Sequence, residues 1–211
     1  MSLSLSLCAL QTLNLFVRPD IAYAVGVLIK FTNKLGKDHW LAIKRVKRYL
    51  IGTKRYGLFY KKYSIMIETF SDANWNTLSG DSLSTTSYNF TLGSGAICWK
   101  SKKQTIIANS TLEAELIALV SASEEANWLW DLLYEISLWE KPIPPILIHC
   151  DSTATIGGVK NRYYNGKSRP IRRKHNTVRS YLSSSIITMD YVKSNDNLAY
   201  LFTKALAKDR V

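Results

Sequence analysis

TTSYNFTLGSGAICWKSKKQTIIANSTLEAELIAL, residues 85–119, decides the fold. Its first half holds two runs rich in β-branched and aromatic residues, separated by Gly93-Ser94-Gly95, so two antiparallel strands joined by a tight turn are expected. In the second half Ser110-Thr111-Leu112-Glu113 reads as a capping box, in which the serine oxygen accepts from the backbone three residues on and the glutamate reaches back. A long helix to about Ser137 should follow, ended by Pro142, Pro144 and Pro145. Upstream, SIMIETFSD (64–72) alternates Ile65, Ile67 and Thr69 against Met66, Glu68 and Phe70, a third strand closing at Asp72. Downstream, ILIHC (146–150) is the short apolar run of a strand buried on both faces. A loop around Gly157-Gly158, a basic stretch from Lys160 to Arg179, a strand IITMDYV (186–192) and a last helix from about Asn195 complete the pattern. Three strands, helix, strand, helix, strand, helix is the order of a mixed α/β sheet covered by helices, not of a sandwich or bundle.

Before this body lies a helical segment. Arg18-Pro19-Asp20 opens IAYAVGVLIKF (21–31), with proline in the first turn. A second helix starts at Asp38: Trp40, Ile43, Val46 and Leu50 form its apolar face, Lys44, Arg45, Lys47 and Arg48 its cationic one, and Gly52 its stop. The opening MSLSLSLCALQTLNLF has no basic residue before its apolar run and is too short to span a bilayer, so it is expected to be buried or frayed and the protein intracellular, in cytoplasm or nucleus. The division expected is 1–63, helical, and 64–211, α/β. Cys8, Cys98 and Cys150 are too far apart in sequence for a zinc ribbon or a disulfide framework.

The net charge of +12 is unevenly placed. Residues 1–63 carry 12 Lys and Arg against Asp20 and Asp38, a balance of +10, while 160–179 hold eight basic residues and no acid. Clustering of this kind points to a polyanion, nucleic acid above all, rather than a small-molecule substrate or a membrane. Lys44, Arg45, Lys47 and Arg48, with Arg172, Arg173 and Lys174, are the candidate phosphate contacts.

Three carboxylates stand where chemistry is built. Asp72 ends a strand, Glu115 lies one turn into the long helix, and Asp151 follows the buried strand. Acids at strand ends and at the start of a covering helix can converge on one sheet edge and hold two Mg²⁺ or Mn²⁺ ions for phosphodiester hydrolysis, with no nucleophile needed from the protein. Each acid alone is better explained as a turn residue or a helix-dipole partner. His149 reads as a tolerated strand residue, Trp128 and Trp130 as core packing, and KSRPIRRKH (167–175) as a basic loop placed for nucleic-acid contact.

Six motifs occur in order: SDANW (71–75), STTSYNFTLGSGAICWKSKKQ (84–104), NSTLEAELIAL (109–119), IHCDSTATI (148–156), RRKH (172–175) and DNLAYLFTKAL (196–206). Together they resemble the ribonuclease H domain of copia-type retrotransposon Pol polyproteins. RPDIAYAVGVL (18–28) and KDHWLAIKRVKRYLIGTKRYGL (37–58) resemble the end of the reverse transcriptase before it. The likeness runs from about residue 17 onward. It implies a ribonuclease H-like sheet, three antiparallel strands then parallel additions, and two-metal cleavage of the RNA strand of RNA–DNA hybrids. By it, Asp72, Glu115 and Asp151 match metal ligands, Glu115 rather than Glu113 being the acid followed by Leu-x-Ala.

Departures matter equally. The family's fourth ligand is the aspartate of NLAD, where this chain has Tyr200; a neutral phenol cannot supply the anionic oxygen a hard cation prefers. Asn74 replaces a second acid of SDADW, and Thr177, Ser180 and Tyr181 replace the usual acid, tyrosine and histidine. No polymerase aspartate pair is present. The expectation is thus an impaired nuclease, with an inactive nucleic-acid-binding or structural remnant as the alternative. A transposase of the same fold would need partner motifs that are absent.

Overall fold

The computed structural model describes residues 3–29, 31, 36–61, 66–75, 83–163 and 168–203. Five strands form one sheet in the order β3-β2-β1-β4-β5. β1 (Ile67–Asn74), β2 (Thr85–Leu92) and β3 (Gly95–Lys103) are successive antiparallel neighbours. β4 (Ile146–Cys150) joins β1 in parallel, and β5 (Ile187–Tyr191) joins β4 in parallel. This is the ribonuclease H-like α/β arrangement. The β2–β3 turn needs left-handed backbone at both Gly93 (φ 56°) and Ser94 (φ 67°), and glycine meets that demand without a Cβ penalty.

α4 (Thr111–Glu135) packs over one sheet face, where Ile117, Leu119 and Val120 meet Phe90, Ile146 and Ile148. Each such side chain contributes about 1.5–3 kcal/mol by leaving water, so this layer dominates the core. The helix starts as expected: Ser110 Oγ accepts from Glu113 N at 3.2 Å. Glu113 itself bonds one residue further back than the capping box predicts, accepting from Asn109 N at 2.9 Å and Asn109 Nδ2 at 3.1 Å.

Between β4 and β5, where the expected order has one helix, the structure has two, and both take in stretches read as loops. Gly157 and Gly158 sit inside α5 (Thr153–Lys160), despite a propensity cost of about 1 kcal/mol each. Tertiary burial overrides it: Ser152 caps the helix through Thr155 N at 3.2 Å, and Thr155, Ile156 and Val159 are buried. KSRPIRRKH enters α6 (Arg169–Ser183), with Pro170 in its first turn and Ile171, His175 and Val178 buried on one face. That spacing of four and three residues is helical, and the density of charge on the opposite face obscured it. Conversely, the last helix is a short 3-10 turn, Leu198–Phe202; the expectation beyond Thr203 lies outside the described residues, as do Lys62, Ile65 and Lys167.

The N-terminal helices α1 (Leu3–Phe16), α2 (Ala22–Ile29) and α3 (Lys37–Gly52) enclose a second apolar cluster of Leu10, Ile21, Val25, Leu28 and Ile43. A polar network closes it: Arg18 donates to Asp20 at 2.9 and 2.6 Å and to Thr53 Oγ1 at 2.7 Å, and Tyr49 OH donates to Asp20 at 2.8 Å. The opening segment is therefore helical, buried at Ser6 and Leu10 and exposed at Cys8. This unit meets β3, where Trp99 Nε1 donates to Asn14 O at 2.8 Å. Among the described residues no helix is long and apolar enough to cross a membrane.

Candidate metal centre

β1 and β4 run parallel, and Ser71 pairs with Cys150, so Asp72 and Asp151 leave the sheet at the same end. Glu115 projects from the second turn of α4 to that end, where its Oε1 accepts from Ala73 N at 3.3 Å. Oxygens of Glu115 and Asp151 and the sulfur of Cys150 all lie within 4.8 Å of one another. Asp72 is not part of that group. It is 3% exposed, and one carboxylate oxygen accepts a short hydrogen bond from Thr203 Oγ1. All three acids are close enough to act on Cys150: burial first, then Glu115, with smaller contributions from Asp151 and Asp72, push its thiol up to about 12. Cys150 is thus a neutral thiol at neutral pH, and the hard oxygen donors of the group are the carboxylates of Glu115 and Asp151. Such a donor set suits a hard divalent cation.

The C-terminal 3-10 turn is stitched to the sheet by side chains that sequence reading passed over. Asn197 Nδ2 donates to Ser71 O at 2.9 Å and Asn197 Oδ1 accepts from Ala199 N at 3.0 Å. Ser87 Oγ donates to Ala199 O at 2.8 Å, Ser101 Oγ to Phe202 O at 2.6 Å, and Asn74 Nδ2 to Thr203 O at 3.0 Å. These bonds fix the half-buried Tyr200 beside β1 and β2. Asn74, singled out as a missing acid, is instead a buried donor holding this turn. The asparagine and serine spacing alone carries no signal for the contacts to the sheet, because those partners lie more than 100 residues apart.

Most of the basic candidates face solvent: Lys44, Arg45, Arg48, Arg172 and Arg173 are exposed and Lys174 is half-buried. Lys47 turns inward, donating to Ser6 Oγ at 2.9 Å, so it bolts α3 to α1. Trp130 packs against the core as expected, whereas Trp128 is 57% exposed, a correction to the core reading: at this position α4 turns its side chain off the sheet. His149 stacks on Phe70 at 4.7 Å and takes no part in the carboxylate group.

No family model matches the chain. The retrovirus-related Pol polyprotein from transposon RE2 of Arabidopsis thaliana is 34% identical over 194 residues, which is 92% of this chain and 13% of that polyprotein. The chain belongs to the retrovirus-related Pol polyproteins of transposons. It spans about an eighth of the length of that relative. Over a shorter stretch, 57% of this chain, it is 43% identical to the secreted RxLR effector protein 161 of Plasmopara viticola, 86% of which is covered. Among solved structures, the foamy viral protease-reverse transcriptase in complex with RNA/DNA hybrid matches 97% of this Pol segment and 26% of that chain, with a TM-score of 0.54 at 17% identity. That likeness shows a shared fold running through both the N-terminal helices and the sheet.

Proposed function

We propose that this Pol segment is a copia-type ribonuclease H domain, residues 64–211, preceded by the helical end of a reverse transcriptase, residues 1–63. It hydrolyses the RNA strand of RNA–DNA hybrids slowly, with Mg²⁺ or Mn²⁺. The observation that carries the reading is the meeting of Glu115 and Asp151 at the sheet end from which Asp72 also emerges.

Bound divalent cations supply Lewis-acid activation of water and stabilisation of the leaving oxygen. The chain's own part is to place anionic oxygens. Glu115 is steadied by the Ala73 amide, and Asp151 is held at the junction between β4 and the capped start of α5. Asp72 stands at the same sheet end with one carboxylate oxygen held by the Thr203 hydroxyl. Tyr200 stands in the sequence where the family has its fourth aspartate, leaving three carboxylates where the family has four. Recognition of the RNA strand rests on its 2′-hydroxyls and hybrid shape, and the exposed Arg172, Arg173 and basic face of α3 supply charge.

The test is a labelled RNA–DNA hybrid incubated with purified protein and Mg²⁺ or Mn²⁺. Slow cleavage of the RNA strand, lost with chelator and lost in Glu115→Gln, is the expected result. No cleavage at any cation concentration favours the second reading, a binding remnant, for which the specific observations are Tyr200 and the hydroxyl bond on Asp72.

A further inference from the structure

Beside α4, on the flank turned to β3, lies an open groove of about 330 Å³. Lys100, Lys102 and Lys103 line it from β3, Lys174 from α6, and Trp128 from α4. Two acids border it, Glu124 and Glu125, but Glu125 is engaged by Tyr88 OH at 2.7 Å and Cys98 Sγ at 3.5 Å. These donors are neutral and leave the Glu125 charge in place, so four lysines against two acids leave the groove cationic. The indole of Trp128 stands 57% exposed at its rim, while Trp130, two residues on, is half-buried and stacked on Tyr134 at 5.8 Å. An exposed tryptophan among lysines is the combination that binds unpaired nucleotides: a flat surface for a base and charges for its phosphates.

Register fixes where the groove opens. Lys102 pairs with Thr86 and Thr86 with Ala73; Lys103 pairs with Thr85 and Thr85 with Asn74. The lysines therefore stand at the sheet end that carries Asp72, two strands away, or about 10 Å at the usual strand spacing. Trp128 lies about 20 Å further along α4 from Glu115 at the helical rise of 1.5 Å per residue, so a strand leaving the carboxylates passes the lysines before it meets the indole.

We propose that this groove holds the single-stranded continuation of the hybrid, with Trp128 stacking on an unpaired base and Lys100, Lys102 and Lys174 taking its phosphates. The inference rests on the hybrid-binding reading of the carboxylate site. An acidic protein segment is the competing occupant; the exposed indole and the shared sheet end favour nucleic acid.

The experiment measures dissociation constants by fluorescence anisotropy, without divalent cation, for a blunt hybrid, the same hybrid with an RNA overhang, and one with a DNA overhang. A polyglutamate peptide serves as competitor. An overhang should tighten binding about tenfold, within the range that one base–aromatic stack supplies. Trp128→Ala, and separately the pair Lys100→Gln with Lys102→Gln, should abolish that advantage and leave blunt-hybrid affinity unchanged, while Trp128→Phe keeps most of it. Benefit from either overhang supports the proposal and names the strand that enters. No overhang advantage, equal weakening of blunt and overhung hybrids by the substitutions, or polyglutamate bound more tightly than the overhang overturns it. Cleavage of the blunt hybrid with Mg²⁺, run alongside, separates the two readings: cleavage without an overhang advantage sinks the groove alone, and an overhang advantage without cleavage sinks the hydrolytic reading alone.

Discussion

Replacing Asn197 by alanine should release the C-terminal turn from the sheet. The side chain is 3% exposed and makes two hydrogen bonds, donating to Ser71 O at 2.9 Å and accepting from Ala199 N at 3.0 Å. Each is worth about 0.5–1.5 kcal/mol net, and the substitution also strands a buried carbonyl and a buried amide. The sum is about 2–3 kcal/mol, a large share of a typical stability of about 5–15 kcal/mol. Ser87→Ala removes one bond of the same set, Ser87 Oγ to Ala199 O at 2.8 Å, and should cost about 1 kcal/mol. Urea unfolding measures both through the midpoint at constant slope, and hydrogen exchange in residues 198–203 should rise more for Asn197→Ala than for Ser87→Ala. A loss below about 0.5 kcal/mol for Asn197→Ala would mean that the turn is held by something other than these bonds. Because the same turn carries Thr203 and Tyr200, exposure of Asp72 should follow its release.

Three further outcomes are expected. Glu115→Gln should abolish metal-dependent cleavage, whereas Glu113→Gln keeps an oxygen that can accept from Asn109, should cost no more than about 1 kcal/mol, and should leave cleavage intact; the reverse ranking would assign the chemistry to Glu113. Hybrid affinity should fall steeply with added salt, and Arg172→Ala with Arg173→Ala should reduce the slope, because each phosphate contact releases counterions; a flat dependence contradicts the electrostatic reading. The N-terminal helices should loosen at both pH extremes. Burial raises the Asp20 carboxyl, but bonds from Arg18 and Tyr49 and the Arg18 charge outweigh it, so it titrates below the usual range. Its contribution is full above the ordinary carboxylate value and is lost as pH falls through the lowered one. Burial, then the bond to Asp20, raises Tyr49 to about 12, so its contribution is full below the ordinary tyrosine value and lost as pH climbs to that point. Asp20→Asn should flatten the acid limb in pH-dependent unfolding, and an unchanged limb assigns it to other groups.

The sheet and its long helix were legible because their signals are local. Gly93-Ser94-Gly95 demands a turn, Ser110 caps through a residue three positions on, and ILIHC has no polar face to present to water. The misread segments are those where packing opposes propensity. Gly157 and Gly158 favour a loop in isolation, but Ile156 and Val159 beside them bury against the core and pull both into α5. In α6 the buried Ile171, His175 and Val178 were masked by the cations between them. At the candidate site, Glu115 and Asp151 were identifiable from motif and strand-end position, and the structure brings them together. The engagement of Asp72 by Thr203, the thiol of Cys150 within the group and the structural use of Asn74 depend on residues distant in sequence. The Trp128 groove escaped for the same reason: its lysines come from β3 and α6, and only the fold sets them side by side.

If the metal-dependent nuclease site is weakened at its fourth position, Tyr200→Asp should restore it. The measurement is the rate of Mg²⁺-dependent cleavage of an RNA–DNA hybrid by the parent, Tyr200→Asp, and Tyr200→Asp with Glu115→Gln, with Mg²⁺ affinity followed by calorimetry. Tyr200→Asp should cleave faster and bind Mg²⁺ more tightly, and cleavage should be lost when Glu115 is also replaced. A folded Tyr200→Asp protein that binds Mg²⁺ no tighter and cleaves no faster than the parent places the defect elsewhere than at residue 200.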